Sequence, residues 1–182
     1  MKSFLSAVLL FVLAMPSVAF GERLSMSDLV ERNETYYKKF SNKPFSGTVS
    51  GKWQGEIKNG KRSGKWAVFY DNGQLYYSVG YKDGKMEGKY HHYGMFGDPY
   101  VVLNYKNGML QGKQKLLKNA FDAITASGEG FFNNGTPEGI FIEYDAAKTI
   151  LWKALFKNGQ CVKVLIGNEC EMGFTYKTTP VY

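Results

Sequence analysis

Ile57-Lys58-Asn59-Gly60-Lys61-Arg62-Ser63-Gly64-Lys65-Trp66 returns 24 residues later as Tyr81-Lys82-Asp83-Gly84-Lys85-Met86-Glu87-Gly88-Lys89-Tyr90. Asn-Gly and Asp-Gly pairs take the positive φ that tight hairpin turns require, so each stretch reads as two strands meeting at a turn. Five such dipeptides place their glycines at Gly60, Gly84, Gly108, Gly135 and Gly159, at intervals of 24, 24, 27 and 24 residues. The first four are each followed four residues later by a second glycine: Gly64, Gly88, Gly112 and Gly139. Two registers kept in step mark an internal repeat, and a repeat decides the architecture before any single residue does.

Outward from the turns, the residues alternate. Leu75, Tyr77, Val79 and Tyr81 precede one Asp-Gly, and Ile150, Trp152, Ala154 and Phe156 precede the last Asn-Gly. A period of two marks a half-buried strand. The runs after the turns carry rings at matching places: Trp66 and Phe69, Tyr90 and Tyr93, Phe141 and Tyr144. Further turns are expected at Asp71-Asn72-Gly73 and at Gly97, so strands of roughly 5 to 6 residues would fill the period. The 26 Phe and Tyr residues and 21 glycines suit many strands and many turns. With no helical layer expected, large rings must supply the apolar area. The expected fold is all-β: an elongated array of antiparallel β-hairpins in a single twisted meander sheet.

The chain divides into four expected regions: a signal peptide over 1–19, a capping segment over 20–47, the repeats over 48–160 and a C-terminal cap over 161–182. Lys2, the apolar run Phe4 to Ala14 and the exit Pro16-Ser17-Val18-Ala19 have the layout of a cleavable secretory signal, with cleavage after Ala19 and Gly21 as the second choice. That run is too short to span a bilayer, which takes roughly 20 apolar residues. The destination is then periplasmic or extracellular, where Cys161 and Cys170 are expected to form a disulfide worth roughly 2.5 kcal/mol in the chain-entropy picture. Within the cap, Leu29 to Arg32 and Thr35 to Tyr37 read as two short strands in preference to a helical turn over Asp28 to Tyr37. Leu116 to Thr125 is the least regular stretch, fitting a bulge or a short helical loop.

The ten-residue unit resembles the aromatic-x-N-G-K-x-x-G-x-aromatic pattern of MORN-repeat proteins, and within them the bacterial YwqK-like antitoxin group. Tyr36-Tyr37 and Pro44-Phe45-Ser46-Gly47 also resemble the entry segment of that group, so the likeness spans about Asp28 to Gln160. Met109 and Thr136 replace the turn lysine, and Lys163 stands where the fifth unit would carry its second glycine. The resemblance implies an elongated hairpin sheet used for protein contacts, assembly or phospholipid surfaces. An exported chain could not neutralise a cytosolic toxin, so an antitoxin-like role would be immunity against an effector acting outside the cytoplasm.

Charge is distributed unevenly. Lys38 to Lys118 holds 15 basic and 5 acidic residues, net +10, whereas Asn119 to Tyr182 holds 5 basic and 7 acidic, net −2. Lys61, Arg62, Lys65, Lys85, Lys89 and Lys113 recur in or just after the same turn and are expected along one basic edge. Against an anionic membrane, six such charges supply at most about 6 kcal/mol. Lysine also solvates exposed edges and discourages edge-to-edge pairing, which is the bland account of the same residues.

No enzyme is expected. His91 and His92 are adjacent on a strand and point to opposite faces, so they cannot hold one metal ion together. No nucleophile stands beside a histidine base, and Glu143 with Asp145 reads as solvated edge. No cofactor, nucleic-acid partner or small-molecule substrate is expected. Function narrows to an interaction module for a protein or an anionic envelope surface, with a carbohydrate- or wall-binding accessory using exposed Trp66, Tyr90 or Phe141 as the alternative.

Overall fold

The computed structural model describes residues 21–116 and 127–170. The expected signal peptide, nearly all of the irregular stretch Leu116 to Thr125 and the end of the C-terminal cap lie outside them. The strands are β1 (Glu22–Leu24), β2 (Leu29–Arg32), β3 (Thr35–Lys38), β4 (Gly47–Val49), β5 (Trp53–Lys58), β6 (Lys61–Phe69), β7 (Leu75–Lys82), β8 (Lys85–Tyr93), β9 (Pro99–Lys106), β10 (Met109–Leu110), β11 (Gly112–Leu116), β12 (Ser127–Asn133), β13 (Thr136–Tyr144), β14 (Ile150–Lys157) and β15 (Gln160–Ile166). From β4 onward they run as an open antiparallel meander, and β1 joins its first edge parallel to β4. β2 and β3 form a separate hairpin. The all-β hairpin array read from the repeat is the fold, and the two capping strands are present.

Each of the five repeated Asn-Gly or Asp-Gly pairs closes one rung, giving β5–β6, β7–β8, β9–β11, β12–β13 and β14–β15. Both turn residues have positive φ in every rung, from Asn59 at 48° and Gly60 at 74° to Asn158 at 52° and Gly159 at 81°. That is the primed turn whose twist matches its strands. The second glycine does different work. Gly64, Gly88 and Gly139 lie inside nine-residue strands, not at their ends, so the strands exceed the 5 to 6 residues expected. At each the register slips: Glu56 pairs with Ser63 and Gln54 with Ala67, leaving Gly55 opposite the three residues Gly64 to Trp66. The positive φ, 68° at Gly64, accommodates a bulge that bends the strand without ending it.

The bulge aims a ring back at the sheet. A Cβ on Gly55 would lie 2.3 Å from the Trp66 ring, and one on Gly130 would lie 2.2 Å from Phe141. Glycine there lets the ring lie flat against backbone. The residue three before each turn glycine faces the same way: Ile57, Tyr81, Tyr105, Phe132 and Phe156 are all buried. In the third rung the ring's place is taken by Gln114, 0% exposed. Its amide accepts from the Asn104 N–H at 2.7 Å and donates to the Gln111 and Gly112 carbonyls at 3.1 and 3.0 Å. Trp66 meets the matching need in the first rung, its indole N–H reaching the Glu56 carbonyl at 3.1 Å.

Successive rungs are tied turn to turn. Gly84 N–H donates to the Arg62 carbonyl at 3.0 Å, Gly108 to Met86 at 2.9 Å, Gly135 to Leu110 at 2.8 Å and Gly159 to Pro137 at 3.0 Å. A side-chain clip repeats beside this ladder: Glu87, Gln111 and Glu138 accept from the N–H of Asn107, Asn134 and Asn158 at 2.8 to 2.9 Å. The first rung carries Ser63 at the clip position and makes no such bond among the described residues. At the far end Cys161 and Cys170 are disulfide-bonded, a pairing typical of oxidising compartments. The Trp152 indole donates to the Glu169 carbonyl at 2.8 Å inside that loop. Among the described residues no helix is long and apolar enough to cross a membrane.

Candidate functional site

The lysines that precede and follow the turns share one edge. Lys58 pairs directly across from Lys61, and Lys82 from Lys85, with Lys106 at the same place in the third rung. Like charges placed directly opposite are destabilising in a sheet. Lys58 is relieved by Glu56 at 3.3 Å, and Lys61 by Glu34, whose carbonyl accepts from its ammonium and whose carboxylate lies 3.8 Å away. Lys82, Lys85 and Lys106 have no ion pair among the described residues. The lysine stems are ordered by the turns: Lys61 lies against Gly84 and Lys85 against Gly108.

The other members of the expected edge stand elsewhere. Lys65, Lys89 and Lys113 are exposed at the bulges, paired across with Gly80, Asn104 and Phe131 on the face away from the rings. Lys113 is held by Glu129 at 2.7 Å. Lys58, Lys82 and Lys106, which the sequence reading passed over, lie closer to the turn than these three. Their recurrence two residues before each turn glycine was the signal.

Arg62 does not belong to the edge at all. It is 7% exposed and occupies the place held by buried Met86 and Leu110 in the next two rungs. Four rings surround its guanidinium, with Cζ 4.9 Å from the Trp66 centroid, 5.3 Å from Trp53 and 5.4 Å from Tyr36 and Tyr81. Cations are attracted to ring faces at these distances. It donates to the Tyr36 hydroxyl at 2.8 Å and the Tyr81 hydroxyl at 3.1 Å, while Nε has no partner among the described residues. Burial works against its charge, but the Tyr81 and Tyr36 oxygens outweigh that, and its pKa lies above the ordinary value. Burial pushes the Tyr36 hydroxyl up to about 12, with the Arg62 charge pulling the other way and Glu31 adding to the rise.

Tyr36 reaches this cage because β2–β3 is itself a hairpin with a primed turn, Asn33 and Glu34 having φ of 50° and 56°. Thr35 packs on Gly60 as Lys61 packs on Gly84, but the ladder bond is replaced, since the Gly60 N–H donates to the Phe45 carbonyl at 2.7 Å and the Tyr36 N–H to the Gly60 carbonyl at 2.8 Å. Between the cap and the second rung lies a cavity of about 460 Å³. Tyr36, Lys61, Arg62, Tyr81, Asp83 and Lys85 line it, with Glu31 and Glu34 on the cap side.

The remaining sequence candidates separate. His91 pairs with Ser78 and His92 with Tyr77, on opposite faces. Asp145 caps its turn through the Thr149 N–H at 2.8 Å, away from any pairing with Glu143. Trp66 and Phe141 are buried and Tyr90 is half-buried, so the rings named for sugar stacking are core. A scan against protein families and a search of curated proteins each find no match to this chain.

Proposed function

We propose that this chain is a non-enzymatic, MORN-like binding module, exported to the periplasm or beyond, that docks its lysine-lined turn edge on an anionic envelope surface. The observation that carries this is the pair of opposed lysines on consecutive turns, Lys58 with Lys61 and Lys82 with Lys85, continued by Lys106. Such pairs cost stability in isolation, and an anionic surface removes the repulsion. Rungs advance by roughly 10 Å, so their charges reinforce one another only weakly in solution and gain most when one surface meets all of them. Five lysines would contribute at most about 5 kcal/mol against anionic lipid.

Co-sedimentation with vesicles containing anionic phospholipid, at low and high salt, tests the reading. Binding that falls steeply with salt and is lost in a Lys58→Gln, Lys82→Gln, Lys85→Gln, Lys106→Gln variant is expected. Binding indifferent to salt contradicts it. Exposed Phe131, Ile140, Leu151 and Val162 on the last two rungs favour a second reading, contact with a protein partner, since large apolar side chains left in water mark such sites. Capture of a partner that is lost in Phe131→Ser, Ile140→Ser, with vesicle binding unchanged, would establish it.

A further inference from the structure

The cavity between the cap and the second rung has a size and a charge layout that the lysine edge does not explain. Its volume of about 460 Å³ falls among those of small-molecule sites. Its three cationic side chains, Lys61, Arg62 and Lys85, are matched by Glu31, Glu34 and Asp83. A net-neutral wall does not concentrate plain anions, so this is not a phosphate trap. Glu31 and Glu34 come from the β2–β3 hairpin, where Lys61 lies 3.8 Å from Glu34, whereas the Tyr81 hydroxyl and the Lys85 ammonium come from the opposite rung, which carries Asp83 at its turn.

The donors on that rung are available. Tyr81 accepts from Arg62, so its own proton remains free to give, and a phenol polarised by a guanidinium is a stronger donor. Lys85 has no ion pair among the described residues. Arg62 behind them is a buried cation whose hydrogen-bonded neighbours are phenols, with no ion pair of its own among the described residues, an expensive arrangement for structure alone. The next rungs place the apolar Met86 and Leu110 there. The missing clip at Ser63 belongs to this junction only.

We propose that this cavity binds a small zwitterion, a free α-amino acid or short peptide. Its carboxylate meets the Tyr81 hydroxyl and the Lys85 ammonium over Arg62, and its ammonium meets the Glu31 and Glu34 side. The site shares Lys61 and Lys85 with the docking edge, but a ligand without net charge binds with little dependence on salt, which separates the two readings.

Titration calorimetry on the intact chain with a panel of free α-amino acids and alanyl-alanine tests this, alongside N-acetyl-alanyl-alanine, alanyl-alanine amide and inorganic phosphate. At least one zwitterion is expected to bind, with both end-blocked dipeptides weaker by about tenfold or more, since each loses a charge-assisted contact. Tyr81→Phe keeps the buried ring and is expected to weaken binding about tenfold while leaving vesicle binding in place, with a lower melting temperature because buried Arg62 loses an acceptor. Failure of every zwitterion to bind more tightly than roughly 10 mM overturns the proposal. Equal binding of the acetylated dipeptide or of phosphate overturns it too, and so does indifference to Tyr81→Phe.

Discussion

The junction of the first and second rungs and the junction of the fourth and fifth share one backbone and differ in what fills it. In both, the turn glycine donates to the carbonyl two residues past the preceding turn, Gly84 to Arg62 and Gly159 to Pro137, each at 3.0 Å. Around the later bond lie Phe132 and Phe156 in the core and the Glu138 clip on Asn158. Around the earlier one lie a caged arginine, two tyrosine hydroxyls, opposed lysines and no clip. The fold therefore rests on features both junctions keep, and chemistry enters where the repeat tolerates replacement.

The largest effects are expected where the shared frame is damaged. Gly55→Ala in the early junction's rung and Gly130→Ala in the fourth rung both force a methyl into a ring, and each should cost roughly 2–3 kcal/mol by denaturant unfolding. A large loss at one and none at the other would break the equivalence. Gln114→Leu keeps volume but strands the Asn104 N–H and the carbonyls it serves, at about 1–3 kcal/mol.

Alkali should separate the regions. Burial raises Tyr36 and Tyr105 from 10.0 to about 12, so the folded state holds these protons more tightly than the unfolded chain. That stability is complete below about pH 10 and is lost as pH rises towards 12. Phenolate absorbance of these tyrosines should appear together with unfolding, and the phenylalanine-rich rungs contribute no such term. Free titration near the ordinary value with the fold intact would contradict their burial.

Smaller effects sharpen the contrast. Arg62→Met imports the second rung's residue, and exchanging a buried cation for an apolar group of similar size is expected to leave stability within about 1 kcal/mol. Loss of several would make Arg62 a structural element. Ser63→Glu imports the clip and is expected to stabilise by about 0.5–1 kcal/mol in thermal melts, whereas Glu138→Ala removes one at similar cost.

Much of the shared frame was legible because glycine is the residue that accepts positive φ without strain, and it recurs in step. The bulge role of Gly64 and its counterparts was not, since a positive-φ glycine reads alike at a turn and inside a strand. Arg62 was misplaced because an arginine beside a turn looks solvated. Its place two residues after Gly60, where Met86 and Leu110 stand after Gly84 and Gly108, would have revealed it. Gln114 hides in the same way, at the position of Trp66, Tyr90 and Phe141. Nothing local announces the parallel β1–β4 pair, three residues long and defined by a distant neighbour. Lys148 at φ 68° takes the bend held by Gly73 and Gly97, a backbone choice that side-chain identity conceals.

Amide hydrogen exchange at Gly84, Gly108, Gly135 and Gly159 reads the rung-to-rung ladder itself. Each of these turn amides should be protected alongside the neighbouring strand amides, because each is bonded to the rung before it. Exchange at the rate of an open loop at all four would mean that the hairpins do not stack as described.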